Sequence, residues 1–334
     1  MPKPRKALIS LDDTAYYHCM SRCVRRAFLC GKDPFTHQSY EHRRQWILDR
    51  LKELTGCFSI DCCGYALMSN HYHLVLFVDR EAAKAWTLDE VIERWQQLFR
   101  GSVLVDRYRS GQNLSRAEWD ALGQLVSQWR ERLSDISWFM RCLNESVARL
   151  ANQEDQCSGR FWEGRFKSQA LLDEKALAAC LAYVDLNPVR AKMAQTPETS
   201  EYTSIAERIT AAKTSGEGNQ TQKDADQPVH LLPFVGNPRK EMPKGLPFKL
   251  TDYLELVDWT GRILREDKPG YIAQEIPPIL ERLQIDPQHW RYLTKNFESR
   301  FKGLVGTAYA LKQACQNLGY RRSPGMSACQ QLLT

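Results

Sequence analysis

The sequence predicts an α+β fold: a ferredoxin-like antiparallel sheet flanked by helices, with a C-terminal all-α region. Three observations carry this. Strand, helix, strand, strand is the order read in the first 80 residues, the opening of a split β-α-β layer. Only two residues, "SN", separate the second and third strands, as a tight hairpin requires. After residues 211–228, which hold almost no apolar residue but alanine, the patterns from Leu250 onward are helical throughout.

The elements follow in order. "TAYYHCMSRCVRRAFL" is rich in aromatic and small residues and reads as a first strand ending in a basic turn. "YEHRRQWILDRLKELTG" places Trp46, Ile47, Leu51 and Leu54 on one helical face, with Gly56 as its stop. "FSIDCCGYALM" and "HYHLVLFV" are the hairpin strands. Residues 80–134, charged and tryptophan-rich, read as an inserted helical segment built on "LDEVIERWQQLF" and "AEWDALGQLVSQW". "WFMRCLNESVARLANQ" is a further helix with Phe139, Leu143, Val147 and Leu150 on one stripe. "GRFWEGRFKSQALL" reads as a loop and an edge strand, and "EKALAACLAYVDL" as a strong helix. The expected division is a domain over 1–210, a flexible linker over 211–249 and a small helical domain over 250–334.

Hydrophobic and charged fractions of 43% and 26% belong to an ordinary globular protein rather than a disordered one. Apolar runs such as "HLVLFV" are too short to span a bilayer, so no membrane partner is expected. The start, "MPKPRKALISLDD", has a basic tip without an apolar core of signal-peptide length, and a cytoplasmic location is the expectation. The eleven cysteines include no Cys-x-x-Cys pair, which fits free thiols in a reducing compartment rather than a zinc site. Net charge is +6, and residues 1–50 hold ten Lys/Arg against five Asp/Glu. Such an excess suits a polyanion, although many solvated protein faces carry one without a nucleic-acid partner.

Chemistry concentrates in two stretches. In "MSNHYHLVL" alternation puts His71 and His73 on one strand face, about 7 Å apart at Cα, where two imidazoles can converge on one metal ion. A pair of half-buried, hydrogen-bonded histidines fits the same spacing. In "LAYVDLNPVRAKM" Tyr183 and Asn187 are four apart and share a helical face. Pro188 pushes Asn187 to the helix end, with its amide oxygen still near the tyrosine. Taken alone, the stretch is more often a core tyrosine followed by a helix stop.

These motifs, with "GRFWEGRFKS" between them, resemble the REP-associated tyrosine transposases, a branch of the HUH single-tyrosine transposases. Asn70, His71, Tyr72 and His73 match the family's Asn followed by His-hydrophobic-His, with Tyr72 bulkier than the usual aliphatic residue. Tyr183 and Asn187 to Ala191 match its tyrosine followed by Asn-Pro-Val-Arg-Ala, and "YHCMSRCVRR" is similar to its opening strand. The resemblance covers roughly residues 10–80 and 135–205 and leaves out the insertion and everything after about 210. It implies the HUH endonuclease fold and cleavage of hairpin-forming single-stranded DNA through a covalent 5′-phosphotyrosine on Tyr183. It also implies a divalent ion, Mg²⁺ or Mn²⁺, held by His71, His73 and Asn187. Related transposases include dimers, so a homodimer belongs to the same set of expectations.

Arg22, Arg25, Arg26, Arg160, Arg165, Lys167 and Arg190 are the candidate DNA contacts, mixing cations with Phe161 and Trp162 as single strands reward. A solvated strand face with Trp162 in the core is the alternative. No Gly-x-x-x-x-Gly-Lys phosphate loop is present, in keeping with chemistry that conserves the ester bond. A binding-only domesticated protein, a rolling-circle initiator or relaxase, and a water-using hydrolase remain as rivals.

Overall fold

The computed structural model describes residues 9–24, 29–33, 37–216, 227–236, 242–264 and 276–333. Its elements are β1 (Tyr16–Arg22), α1 (Arg43–Cys57), β2 (Ile60–Leu67), β3 (His71–Val78), α2 (Arg80–Ala85), α3 (Leu88–Leu98), α4 (Val103–Arg109), α5 (Arg116–Arg132), α6 (Ile136–Glu154), β4 (Lys167–Leu171) and α7 (Glu174–Asp185). Then come α8 (Asn187–Arg190), α9 (Ser204–Gly216), α10 (Leu250–Leu264), α11 (Pro278–Leu283), α12 (Pro287–Arg300), β5 (Leu304–Val305), α13 (Ala308–Asn317) and α14 (Met326–Leu332). Among the described residues no helix is long and apolar enough to cross a membrane. None of the eleven cysteines is in a disulfide, and all but Cys157 are buried.

The fold is mixed α and β, with a five-stranded sheet in the order β2-β3-β1-β4-β5. β1 runs antiparallel to β3 on one side and to β4 on the other. A hairpin joins β2 to β3, with Met68 N–H donating to the His71 carbonyl at 2.9 Å. The first four strands therefore have the ferredoxin-like order that the hairpin and the early helix predict. β5 adds a fifth strand that no sequence pattern predicts. It pairs parallel to β4, with Ala170 N–H on Gly303 O (2.7 Å) and Leu172 N–H on Val305 O (2.8 Å). β4 is therefore an inner strand, not an edge. Two residues, Leu304 and Val305, are too short a run for any periodicity to reveal.

The chain forms two compact units. One takes in residues 1–40, 62–77 and 162–334, and so contains most of the sheet and the entire C-terminal region. The other takes in residues 41–61 and 78–161. In the helical unit α1 packs on α6, with Phe58 edge-on to Phe139 at 5.3 Å, so the insertion expected at 80–134 is part of a larger body. Arg43, fully buried, is held by Glu154 (2.6 Å) and Asp155. On α6, Phe139, Leu143 and Val147 are buried as expected, but Leu150 is 39% exposed and Ala151 takes its place. The buried stripe keeps to four-residue steps, from Phe139 through Leu143 and Val147 to Ala151.

In the sheet-bearing unit the expected helical domain over 250–334 is not separate, because α12 packs on α7 and β5 extends the sheet. Nor are the described parts of 211–249 a free linker. α9 continues to Gly216, and Leu231, Leu232, Phe234, Leu246 and Phe248 are buried. Arg208, itself buried, donates to the carbonyls of Cys63 (2.9 Å) and Leu232 (3.0 Å) and so ties this strip to β2. The apolar "HLLPF" and "LPF" pieces give the strip a reason to dock. Residues 217–226 and 237–241 of the expected linker lie outside the described residues.

α7 approaches the sheet closely at Gly64, where a Cβ would stand 3.1 Å from both Leu181 Cδ2 and Ser204 Oγ. Its C-terminal turn is clipped by Asp185. That buried carboxylate accepts from Ser204 Oγ–H (2.6 Å), Ile205 N–H (3.1 Å) and the Tyr253 hydroxyl. Ser204 Oγ in turn accepts from Tyr65 N–H at 2.9 Å. One side chain thereby joins α7 to α9, α10 and β2.

Candidate active site

Asp185 stands between the two polar residues that matter most on this helix. Tyr183 lies in the last turn of α7. Leu186 then leaves the helix, and Asn187 starts the short α8 with Pro188 behind it. The break expected before Pro188 is therefore a one-residue joint, and both Tyr183 (6% exposed) and Asn187 (4%) are buried.

On the sheet, His71 and His73 share a face as alternation requires, their rings 4.9 Å apart and nearly perpendicular. Tyr183 meets His73 edge-on at 5.7 Å, so the structure brings the histidine pair and the tyrosine together. A third histidine, which no sequence motif marks, joins them. His18 on β1 stacks on His73 at 5.1 Å and faces Tyr183 at 6.2 Å. A polar residue in the middle of the apolar "AYYHCM" was the available signal.

Hydrogen bonds assign the ring protons. His71 Nδ1 lies 2.6 Å from Asn70 Oδ1, an oxygen that only accepts, so Nδ1 carries the proton and Nε2 keeps its lone pair. His18 Nδ1 lies 2.7 Å from Gln169 Oε1, and His18 Nε2 lies 2.9 Å from His73 Nδ1. Among the described residues His73 Nε2 is buried without a partner, and so is Asn187 Nδ2. Burial, reinforced by the Arg22 charge, lowers the His71 pKa to about 4. Burial also holds His18 low and His73 well below the ordinary histidine range, where His18 and His71 add repulsion. All three rings are neutral near pH 7, the form that binds metals.

Burial raises the Tyr183 phenol above its usual value, opposed chiefly by Arg190. The Arg190 guanidinium stacks 3.8 Å from the centre of the Tyr183 ring and donates to the Thr294 carbonyl at 3.0 Å. Phe297 of α12 packs against Tyr183 at 5.8 Å and against His18 at 6.2 Å. Helix α12 is thus a wall of the site, a role no local pattern in "PQHWRYLTKNFESRF" announces.

Among the described residues His73 Nε2 and Asn187 Nδ2 lack partners, and these groups, with the lone pair on His71 Nε2, are of the kind that bind a divalent ion. Turning the Asn187 amide over would place its oxygen where Nδ2 now stands. Among the described residues no group of three His, Cys, Asp or Glu is arranged to hold a metal. Two imidazoles and an amide leave positions for water and phosphate oxygens, unlike a closed structural zinc site. His18 uses both its nitrogens on Gln169 and His73 and stands behind the pair.

The candidate cations divide. Arg22 is exposed and stands opposite His71 in the β1–β3 register, which puts it on the same face. Lys167 is exposed and pairs with Glu298 at 3.4 Å, and Arg190 packs on the tyrosine. Arg165 is exposed, as is Arg160, which belongs to the helical unit. Arg25 and Arg26 lie outside the described residues. Trp162 is buried edge-on to Tyr72 at 5.6 Å and serves the core. A cavity of about 390 Å³ opens next to His18, lined by Met20, Lys167, Gln169, Glu298 and Phe301 among others.

No family model matches the chain, and no curated protein does. Among solved structures, a REP-associated tyrosine transposase bound to a REP hairpin is similar over 71% of this chain and all of that one. The identity is 10% and the TM-score 0.37.

Proposed function

We propose that this chain is a single-tyrosine DNA nuclease and strand transferase of the HUH class, with hairpin-forming single-stranded DNA as substrate. The observation that carries the reading is the meeting of Tyr183 with His73, whose buried Nε2 has no partner among the described residues, with Arg190 stacked on the tyrosine ring. The three ordered sequence motifs support the substrate class. Charge supports the surface. The sheet-bearing unit holds 30 Lys/Arg against 23 Asp/Glu, and the helical unit 16 against 17.

In this reading His71, His73 and Asn187 hold Mg²⁺ or Mn²⁺. Such an ion, when bound, supplies polarisation of the scissile phosphate and charge compensation at the leaving oxygen. The protein residues do the rest. The Tyr183 oxygen attacks phosphorus, the bond to the 3′ oxygen breaks, and that oxygen leaves to take up a proton. The 5′ phosphate remains on Tyr183, so the reverse attack by a 3′ hydroxyl rejoins a strand without ATP. Arg190 lies where it lowers the cost of the phenolate, which burial opposes. Arg22 and Lys167 line the strand ends as phosphate contacts.

Incubation with single-stranded DNA carrying a hairpin from the gene's own flanks, with Mn²⁺ or Mg²⁺, tests the reading on a denaturing gel. The expected result is a protein–DNA adduct lost in both Tyr183→Phe and His73→Ala. Cleavage without adduct that survives Tyr183→Phe would replace the tyrosine mechanism with water-based hydrolysis. The near-complete burial of Tyr183 under Phe297 favours a second reading, a hairpin-binding protein that does not cut. Specific binding with no product would select it.

A further inference from the structure

The proton on His73 is decided outside the histidine motif. Gln169 Nε2 donates to the carbonyl of Phe301, at the junction of α12 and β5. A backbone carbonyl only accepts, so the amide nitrogen must face it and Oε1 must face His18. Oε1 accepts, so His18 carries its proton on Nδ1 and offers the bare Nε2 to His73. His73 must then donate from Nδ1, which leaves Nε2 as a lone pair. Gln169 and His18 are 7% and 2% exposed and His73 is fully buried, so water does not compete along this line.

We infer that His18 and Gln169 are positioning residues that carry the orientation of the Phe301 carbonyl to Nε2 of His73. The C-terminal α12–β5 junction thereby sets the tautomer of a candidate metal ligand more than 200 residues earlier. His71 obtains the same tautomer locally, from Asn70. Outer-shell partners of this kind fix ring orientation and ligand basicity at metal sites, and their loss typically weakens metal binding 10–100-fold. The consequence for metal binding rests on reading His73 as a ligand; the tautomer does not.

Two-bond ¹H–¹⁵N correlation of the full-length, metal-free protein with ¹⁵N-labelled histidine reads the tautomer directly, with His73→Ala assigning the signal. His73 protonated on Nδ1 is expected, changing to an Nε2–H or mixed form in Gln169→Leu. Nε2–H on His73 in the unsubstituted protein overturns the inference, and so does an unchanged tautomer in Gln169→Leu. Gln169→Met gives a second variant should the leucine side chain prevent folding. A Mn²⁺ titration followed by electron paramagnetic resonance should then give a Kd weakened 10–100-fold by Gln169→Leu. An unchanged Kd removes the positioning role. Because neither measurement uses DNA, a chain that forms no covalent adduct can still pass both tests, and the two readings fail separately.

Discussion

Replacing Asp185 by alanine tests how the tyrosine-bearing helix is held. The carboxylate accepts from three donors, Ser204 Oγ–H, Ile205 N–H and Tyr253 O–H, all on residues with no exposed surface. Each buried donor left without a partner costs roughly 1–3 kcal/mol. Ser204 has a fallback in the Tyr65 carbonyl at 3.3 Å, which spares part of one term. The expected loss for Asp185→Ala is therefore about 3–5 kcal/mol, in the range seen when one partner of a buried polar network is removed. Asp185→Asn keeps an oxygen for Ser204 and Ile205 and asks only Tyr253 to reverse its hydrogen bond, so about 1 kcal/mol is expected. Urea unfolding followed by tryptophan fluorescence measures both through the shift in midpoint at constant slope. An alanine variant within about 1 kcal/mol of the unsubstituted protein, or equal to the asparagine variant, would refute the argument.

Tyr183→Phe should abolish the DNA adduct while changing stability by less than about 1 kcal/mol, because the ring keeps its packing on Arg190 and Phe297; a large loss of stability would make the hydroxyl structural. Burial raises the Tyr183 phenol, so the reactive phenolate grows as pH rises towards that raised value. The single-turnover rate of adduct formation should climb from pH 6 to 9, and a flat profile would assign the rate to another step. Arg43→Ala in the helical unit strands Glu154 and Asp155, which are 26% exposed and thus partly hydrated. A loss of about 3 kcal/mol is expected, at the low end for a buried ion pair, and calorimetry of the full chain would measure it.

Much of the site was legible because its signals are short-range. Two-residue alternation is enough to put His71 and His73 on one face, and Pro188 is enough to break the helix between Tyr183 and Asn187. Trp162 is a core residue, as the alternative reading of its stretch had it. The cationic residues were less informative: Arg22 and Lys167 flank the site, while Arg160 falls in the other unit, since charge in a sequence says nothing of where the chain brings it. His18 was visible only as a polar residue in an apolar strand. Its partners lie 55 and 151 residues away, and no local pattern names them.

By itself the sequence determined the local geometry of this protein: the hairpin, the shared histidine face, the strong helix and the joint after it. Those follow from backbone sterics and from the repeat of each element, which act over a few residues. Only the tertiary structure decided that α12 would wall the site, that β5 would turn β4 into an inner strand, and that Phe301 would reach Gln169. Those depend on burying apolar surface and pairing polar groups between distant segments, and a two-residue strand or a backbone carbonyl carries no side-chain pattern that could announce it.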